Sequence, residues 1–160
     1  MIDETPNLVL VTVKINGEIQ QIIVPPSKTL LATLRENLFL TGSKPGCFNG
    51  DCGACTVIID ELPMKSCLML AAEVEGKEIT TIEGLSDSPV QRAFIENFAF
   101  QCGYCTPGFI MNIQAMLNSV KNPSPDTIKE WLESNICRCT SYEEIEQAVQ
   151  EVIDKYPSKY

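Results

Sequence analysis

Apolar and polar residues alternate through the first half of the chain, and the period lengthens to that of a helix in the second. Residues 8–15 (LVLVTVKI) are rich in β-branched side chains and run into Asn16-Gly17, the strongest short-range hairpin signal. Glu18–Val24 supplies the return strand, and Pro25-Pro26 stops it, because proline cannot donate to a ladder. Ser27 is placed to cap a helix whose Leu30, Leu31, Leu34 and Leu38 share one face. Thr56–Ile59 reads as a short strand, with further strands expected around 64–70 and 77–81. A hairpin, a helix laid across it and more strands predict a small mixed sheet of the β-grasp type.

From residue 90 onward the apolar positions fall in four helical stripes. These are Val90, Ala93, Phe94 and Phe98; Phe109, Ile110, Ile113, Met116, Leu117 and Val120; Ile128, Trp131 and Leu132; and Ile145, Ala148, Val149 and Val152. Ser124 is the expected N-cap of the third helix, with Pro125 in its first turn. All four stripes, Trp131 included, are expected to pack as core, giving a four-helix bundle. The class predicted is α+β: a β-grasp domain over 1–81, a linker over 82–88 that is rich in Gly, Ser and Asp, and a helical domain over 89–160.

Composition then narrows the chemistry. A net charge of −9 with no basic run argues against a nucleic-acid partner. No window approaches the roughly 20 apolar residues of a bilayer span, so membrane insertion is not expected. Residues 1–6 lack the basic and apolar regions of a secretory leader, which makes the cytoplasm the expected address. The chain has no histidine, which removes Rieske centres, histidine-containing zinc sites and Ser-His-Asp or Cys-His catalysis together. No catalytic acid or base is assigned.

Eight cysteines remain, in two groups of four. Cys47, Cys52, Cys55 and Cys67 have the C-x4-C-x2-C spacing of a plant-type [2Fe–2S] centre, with a fourth thiol arriving after a turn at 60–63. The glycines of that loop let the backbone approach a ligand, and inward N–H groups would stabilise an anionic cluster. Zinc and disulfides are the alternatives; in a reducing compartment, closely spaced thiols read first as metal ligands. Cys102, Cys105, Cys137 and Cys139 form the second group. Each of its pairs stands before an expected helix start, with Thr106 as the cap and Pro107 at the first helical position in one case and a Ser141/Glu144 capping box in the other. Arg138 adds a cation between two ligands. Taken alone, this group leaves structural zinc open.

The segments GCFNGDCGACTV (46–57), QCGYCTPGFIM (101–111) and NICRCTSY (135–142), in this order, resemble the small iron–sulfur subunit of the molybdenum hydroxylases, the family of xanthine dehydrogenase and aldehyde oxidoreductase. The resemblance spans essentially the whole chain. It implies one [2Fe–2S] cluster in each domain, and two partners: a large molybdopterin-binding subunit and a medium FAD-binding subunit. It also implies that Gln101 and Cys139 contact the pterin. Electrons would pass from the molybdopterin through the second cluster and then the first to FAD, with purine hydroxylation the first expectation for the complex. A stand-alone ferredoxin-like carrier and a structural zinc module are the rival readings. One departure from the family pattern is Ser141, where a glycine is usual; a helix-cap position would accept serine without strain.

Overall fold

The structure, a computed structural model, describes residues 7–156; the leader reading at 1–6 and the outer ends of the two expected domains lie outside the described residues. β1 (Val9–Ile15) and β2 (Glu18–Val24) pair antiparallel with Ile15 opposite Glu18. Asn16 and Gly17 take φ of 51° and 88°, the left-handed pair that a two-residue hairpin turn requires. Val11, Val13, Ile15, Ile22 and Val24 point inward and are buried.

The helix that follows is capped by Thr29 rather than Ser27. The Lys28 N–H bonds back to the Pro25 carbonyl, so the chain is still turning at Ser27, and the Thr29 hydroxyl accepts the Ala32 N–H at 3.2 Å. α1 (Leu30–Ala32) runs directly into a π-helical turn, Thr33–Asn37, and buries Leu30 and Leu34 on the sheet.

β3 (Thr56–Ile59) and β4 (Leu62–Lys65) are joined by Asp60 and Glu61 alone, both at positive φ. The turn is therefore shorter than 60–63. Pro63 sits in an edge strand, where its missing N–H costs no ladder bond. The strand expected over 64–70 stops at Lys65, because the Leu68 N–H bonds to the Lys65 carbonyl and turns the chain. β5 (Glu78–Thr80) completes a five-stranded sheet in the order β2-β1-β5-β3-β4, with β1 and β5 parallel.

Four helices follow: α2 (Pro89–Glu96), α3 (Thr106–Ser119), α4 (Pro125–Leu132) and α5 (Tyr142–Lys155). Ser124 caps α4 as expected, and Ser88 caps α2 in a reciprocal box with Gln91. Phe94, Phe109, Ile113, Met116, Ile145 and Val149 share one core. Trp131 packs at its edge, half-buried.

Phe98 does not join that core; it is 80 % exposed. Helix α2 ends at Asn97, Phe98 takes a left-handed φ of 53°, and the Ala99 N–H closes onto the Phe94 carbonyl, which throws the phenyl ring outward.

α3 is buried on two faces. One meets the other helices, and the opposite face, through Met111 and Ala115, meets Ile58 of β3. The start of the 82–88 stretch is tied to neighbouring turns and loops. Asn16 accepts the Thr81 N–H at 2.9 Å, and Glu83 accepts the Gly42 N–H at 2.7 Å. No helix among the described residues is long and apolar enough to cross a membrane.

Candidate metal centres

The first thiol set is assembled by a loop and a turn. The loop between the π-helical turn and β3 carries Cys47, Cys52 and Cys55, and the turn after β4 brings in Cys67. Ser66 fixes that turn: its hydroxyl donates to the Cys55 carbonyl at 2.7 Å, and its own carbonyl accepts the Leu31 N–H. Cys55 and Cys67 are buried against Leu31. The Cys52 N–H donates to Cys47 Sγ at 3.3 Å. That bond is the main reason the Cys47 thiol is lowered to about 7, whereas burial, then its neighbour Cys55, pushes Cys67 up to about 11. Cys47 thus stands with Cys52, and Cys55 with Cys67.

The second set repeats this pairing. Cys102 and Cys139 have their sulfurs 3.7 Å apart and are exposed, while Cys105 and Cys137 meet half-buried beneath them. Burial, then Cys137, pushes Cys105 up to about 12. The Tyr104 N–H, then Cys139, lowers Cys102. The Thr140 N–H donates to Cys137 Sγ at 3.3 Å, and the Tyr142 hydroxyl clamps the backbone by donating to the Asn135 carbonyl and accepting the Cys137 N–H. Gln101 lies exposed next to Cys102, and Arg138 is exposed between Cys137 and Cys139.

The helix starts differ in detail from the sequence reading. Cys105 itself is the N-cap residue of α3, so Thr106 is already helical and caps nothing. Ser141 precedes α5 with φ −72°, so serine in place of the family's glycine is unstrained. Its hydroxyl bonds the Glu144 carboxylate rather than a helix N–H, so the capping box does not form there.

The two sets are fastened together. The Ile136 N–H donates to the Cys52 carbonyl at 3.0 Å, Asn135 Nδ2 donates to the Gly53 carbonyl at 3.0 Å, and the Tyr104 hydroxyl reaches the Pro45 carbonyl at 2.8 Å. A cleft of about 190 Å³ has Cys52 in its wall beside all four cysteines of the second set. This approach needs glycine at two positions. A Cβ on Gly108 would lie 2.2 Å from the Gly53 carbonyl oxygen, and one on Gly53 would lie 2.3 Å from Asn135 Nδ2.

These residues fit [2Fe–2S] clusters. Two sulfurs on one tetrahedral ion at about 2.3 Å stand about 3.8 Å apart, which matches the Cys102–Cys139 spacing. Paired thiols suit two irons. The Thr106 and Thr140 hydroxyls, directly after Cys105 and Cys139, are buried without an acceptor, and bridging sulfides or ligand sulfurs would supply one. Sequence reasoning did not single out Thr106, Thr140, Ile136, Asn135 or Lys65 as site residues. Only their adjacency to cysteines signals the first four.

A family model described as a 2Fe-2S iron-sulfur cluster binding domain matches residues 13–84, and one described as a [2Fe-2S] binding domain matches 81–150. The nicotinate dehydrogenase small FeS subunit of Eubacterium barkeri is 40% identical over 153 residues, covering 93% of this chain and 98% of its own length. The chain belongs to the small iron–sulfur subunits of the molybdenum hydroxylases. Another member of this family, the aldehyde oxidoreductase iron-sulfur-binding subunit of Escherichia coli K12, is 41% identical over 172 residues, with 96% of this chain and 75% of that one covered. The fold matches a chain of quinoline 2-oxidoreductase from Pseudomonas putida 86 with a TM-score of 0.89 at 39% identity, over 94% of this chain and 96% of that one. It matches the aldehyde oxidoreductase of Desulfovibrio desulfuricans equally well, with a TM-score of 0.89 at 37% identity, but there it covers only 17% of a longer polypeptide. As a member of this family, the chain is an oxidoreductase subunit with two [2Fe–2S]-binding units.

Proposed function

We propose that this subunit conducts electrons between two partner subunits of a molybdenum-dependent hydroxylase. In this reading, Cys47, Cys52, Cys55 and Cys67 hold one [2Fe–2S] cluster in a β-grasp, ferredoxin-like domain (1–81). Cys102, Cys105, Cys137 and Cys139 hold the other in a four-helix domain (89–160), with 82–88 between them. Each cluster, when bound, supplies one-electron transfer. The observation that carries the reading is the hydrogen bond from Ile136 N–H to the Cys52 carbonyl. It joins the residue next to one ligand directly to the backbone of another, across the two thiol sets.

Electrons enter at the exposed Cys102–Cys139 end, where Gln101 and Cys139 face the molybdopterin of a large subunit, and leave on the Cys47 side toward a medium, FAD-binding subunit. Exposed apolar side chains support docking at both ends: Phe98, Phe100 and Tyr104 beside the second set, and Phe48 and Leu68 beside the first. In the longer Desulfovibrio polypeptide the matching unit is part of one chain with further sequence, which supports a partner here. Substrate chemistry belongs to the large subunit in this reading. Purine hydroxylation stays the first candidate, with aldehydes and nitrogen heterocycles next, in a cytoplasmic complex.

Purification from the native host tests the assignment. Co-elution with two larger subunits carrying molybdopterin and FAD is the expected result. Isolation as a lone monomer with both clusters would contradict it in favour of a free carrier.

A further inference from the structure

Lys65 is placed differently from the lysines that form surface ion pairs. Lys14, Lys28, Lys77 and Lys155 each meet a carboxylate on the surface. Lys65 is half-buried at the end of β4 and, among the described residues, pairs with no carboxylate. Its ammonium donates to two neutral oxygens, Thr56 Oγ1 at 3.1 Å and the Ser134 carbonyl at 2.9 Å. The first partner lies in β3, directly after Cys55, and the second lies just ahead of the Ile136–Cys137 segment. Lys65 lies in register opposite Thr56, the residue after Cys55, and stands two positions ahead of Cys67.

A partly desolvated cation with only neutral partners is costly unless a negative charge nearby compensates it. The first set, with Cys55 next to the bonded Thr56 and Cys67 two positions beyond Lys65, would supply that charge as thiolates when it holds a cluster. A four-thiolate centre gains one further negative charge when it accepts an electron, and a fixed cation at short range favours the more negative state.

We propose that Lys65 is the fixed cation of the first thiol set and the pin that holds this set against the segment bearing Cys137. Its charge favours the reduced state at Cys47, Cys52, Cys55 and Cys67 over that at the second set, and so sets the direction of electron passage. The inference rests on the two-cluster reading above. The electron concerned is the one supplied from the second set, so no further reductant is needed. Lys65 touches neither substrate nor a reacting atom; its role is electrostatic and positional.

Redox titration followed by EPR on the intact complex tests this, with wild type, Lys65→Met, Lys65→Gln and Lys65→Arg. The first-set signal is the one that survives in Cys105→Ala. Both neutral variants should make the first set at least tenfold harder to reduce, a shift of about 59 mV for one electron, with the second set unmoved. Lys65→Arg should restore the wild-type value. Where Met prevents assembly, Gln decides, since its amide keeps a hydrogen-bond donor without the charge. An unmoved first-set potential in the neutral variants, or equal shifts at both sets, overturns the role of Lys65. Absence of two [2Fe–2S] signals from wild type would instead overturn the underlying reading.

Discussion

Cys102 and Cys139 hold their sulfurs 3.7 Å apart although 37 positions separate them in the chain. Two helix starts, those of α3 and α5, converge to make that contact, and Cys105 and Cys137 repeat it one layer deeper. The backbone thus gathers thiols from two distant segments at one place. Replacing Cys105 by alanine should abolish one of two distinguishable EPR signals and leave the other, with loss of electron flow from the molybdenum side. Persistence of both signals would show that the second set is not a cluster site.

Gly108 tests the contact between the two units. A methyl there would overlap the Gly53 carbonyl, and neither backbone can yield cheaply. Gly108→Ala should cost about 1–3 kcal/mol, as overpacking does. At about 2–4 °C per kcal/mol for a chain of this size, a fall in Tm of several degrees follows, measurable by calorimetry.

Asn135 supplies the polar half of the same contact. It is 1% exposed, and its amide bond to the Gly53 carbonyl helps keep Ile136 on the Cys52 carbonyl. Asn135→Ala should cost about 1 kcal/mol for the lost bond. It should also slow inter-cluster electron transfer in flash or stopped-flow kinetics, with both EPR signals retained. An unchanged transfer rate would argue that this junction does not serve as the route.

Glu151 gives a pH signature. It sits on α5 beside Lys155 and Asn97, which lower its pKa to about 2, Lys155 foremost. Because the folded value lies below the ordinary carboxylate value of 4.5, the stabilisation is complete above pH 4.5 and is lost as pH falls toward 2. Wild type should therefore be slightly more stable than Glu151→Gln at pH 7, and thermal melts of the two should draw together as pH falls from 4.5 toward 2. The difference stays small because the Lys155 ammonium is exposed and solvent screens the pair, and added salt should shrink it further.

Much of this was legible from local pattern. The Asn16-Gly17 turn, the four helices and Ser124 capping α4 all follow from short-range rules that tertiary packing did not override. The misses share a cause. Ser27, Phe98 and the strand end at Lys65 depend on where a turn closes, which is decided by one backbone hydrogen bond rather than by residue type. The second buried face of α3, with Met111 and Ala115, exists only because a sheet lies beneath it. At the site, cysteine spacing and flanking motifs pointed to both thiol sets. Lys65 and Asn135 act across contacts of 69 and 82 positions, which no local window contains.

Metal and sulfide analysis joined to EPR, on the subunit within its native complex, tests the central claim most directly. Two four-thiolate clusters predict about four iron and four sulfide per chain, with two [2Fe–2S] signals on reduction. A colourless, EPR-silent chain holding zinc would contradict it.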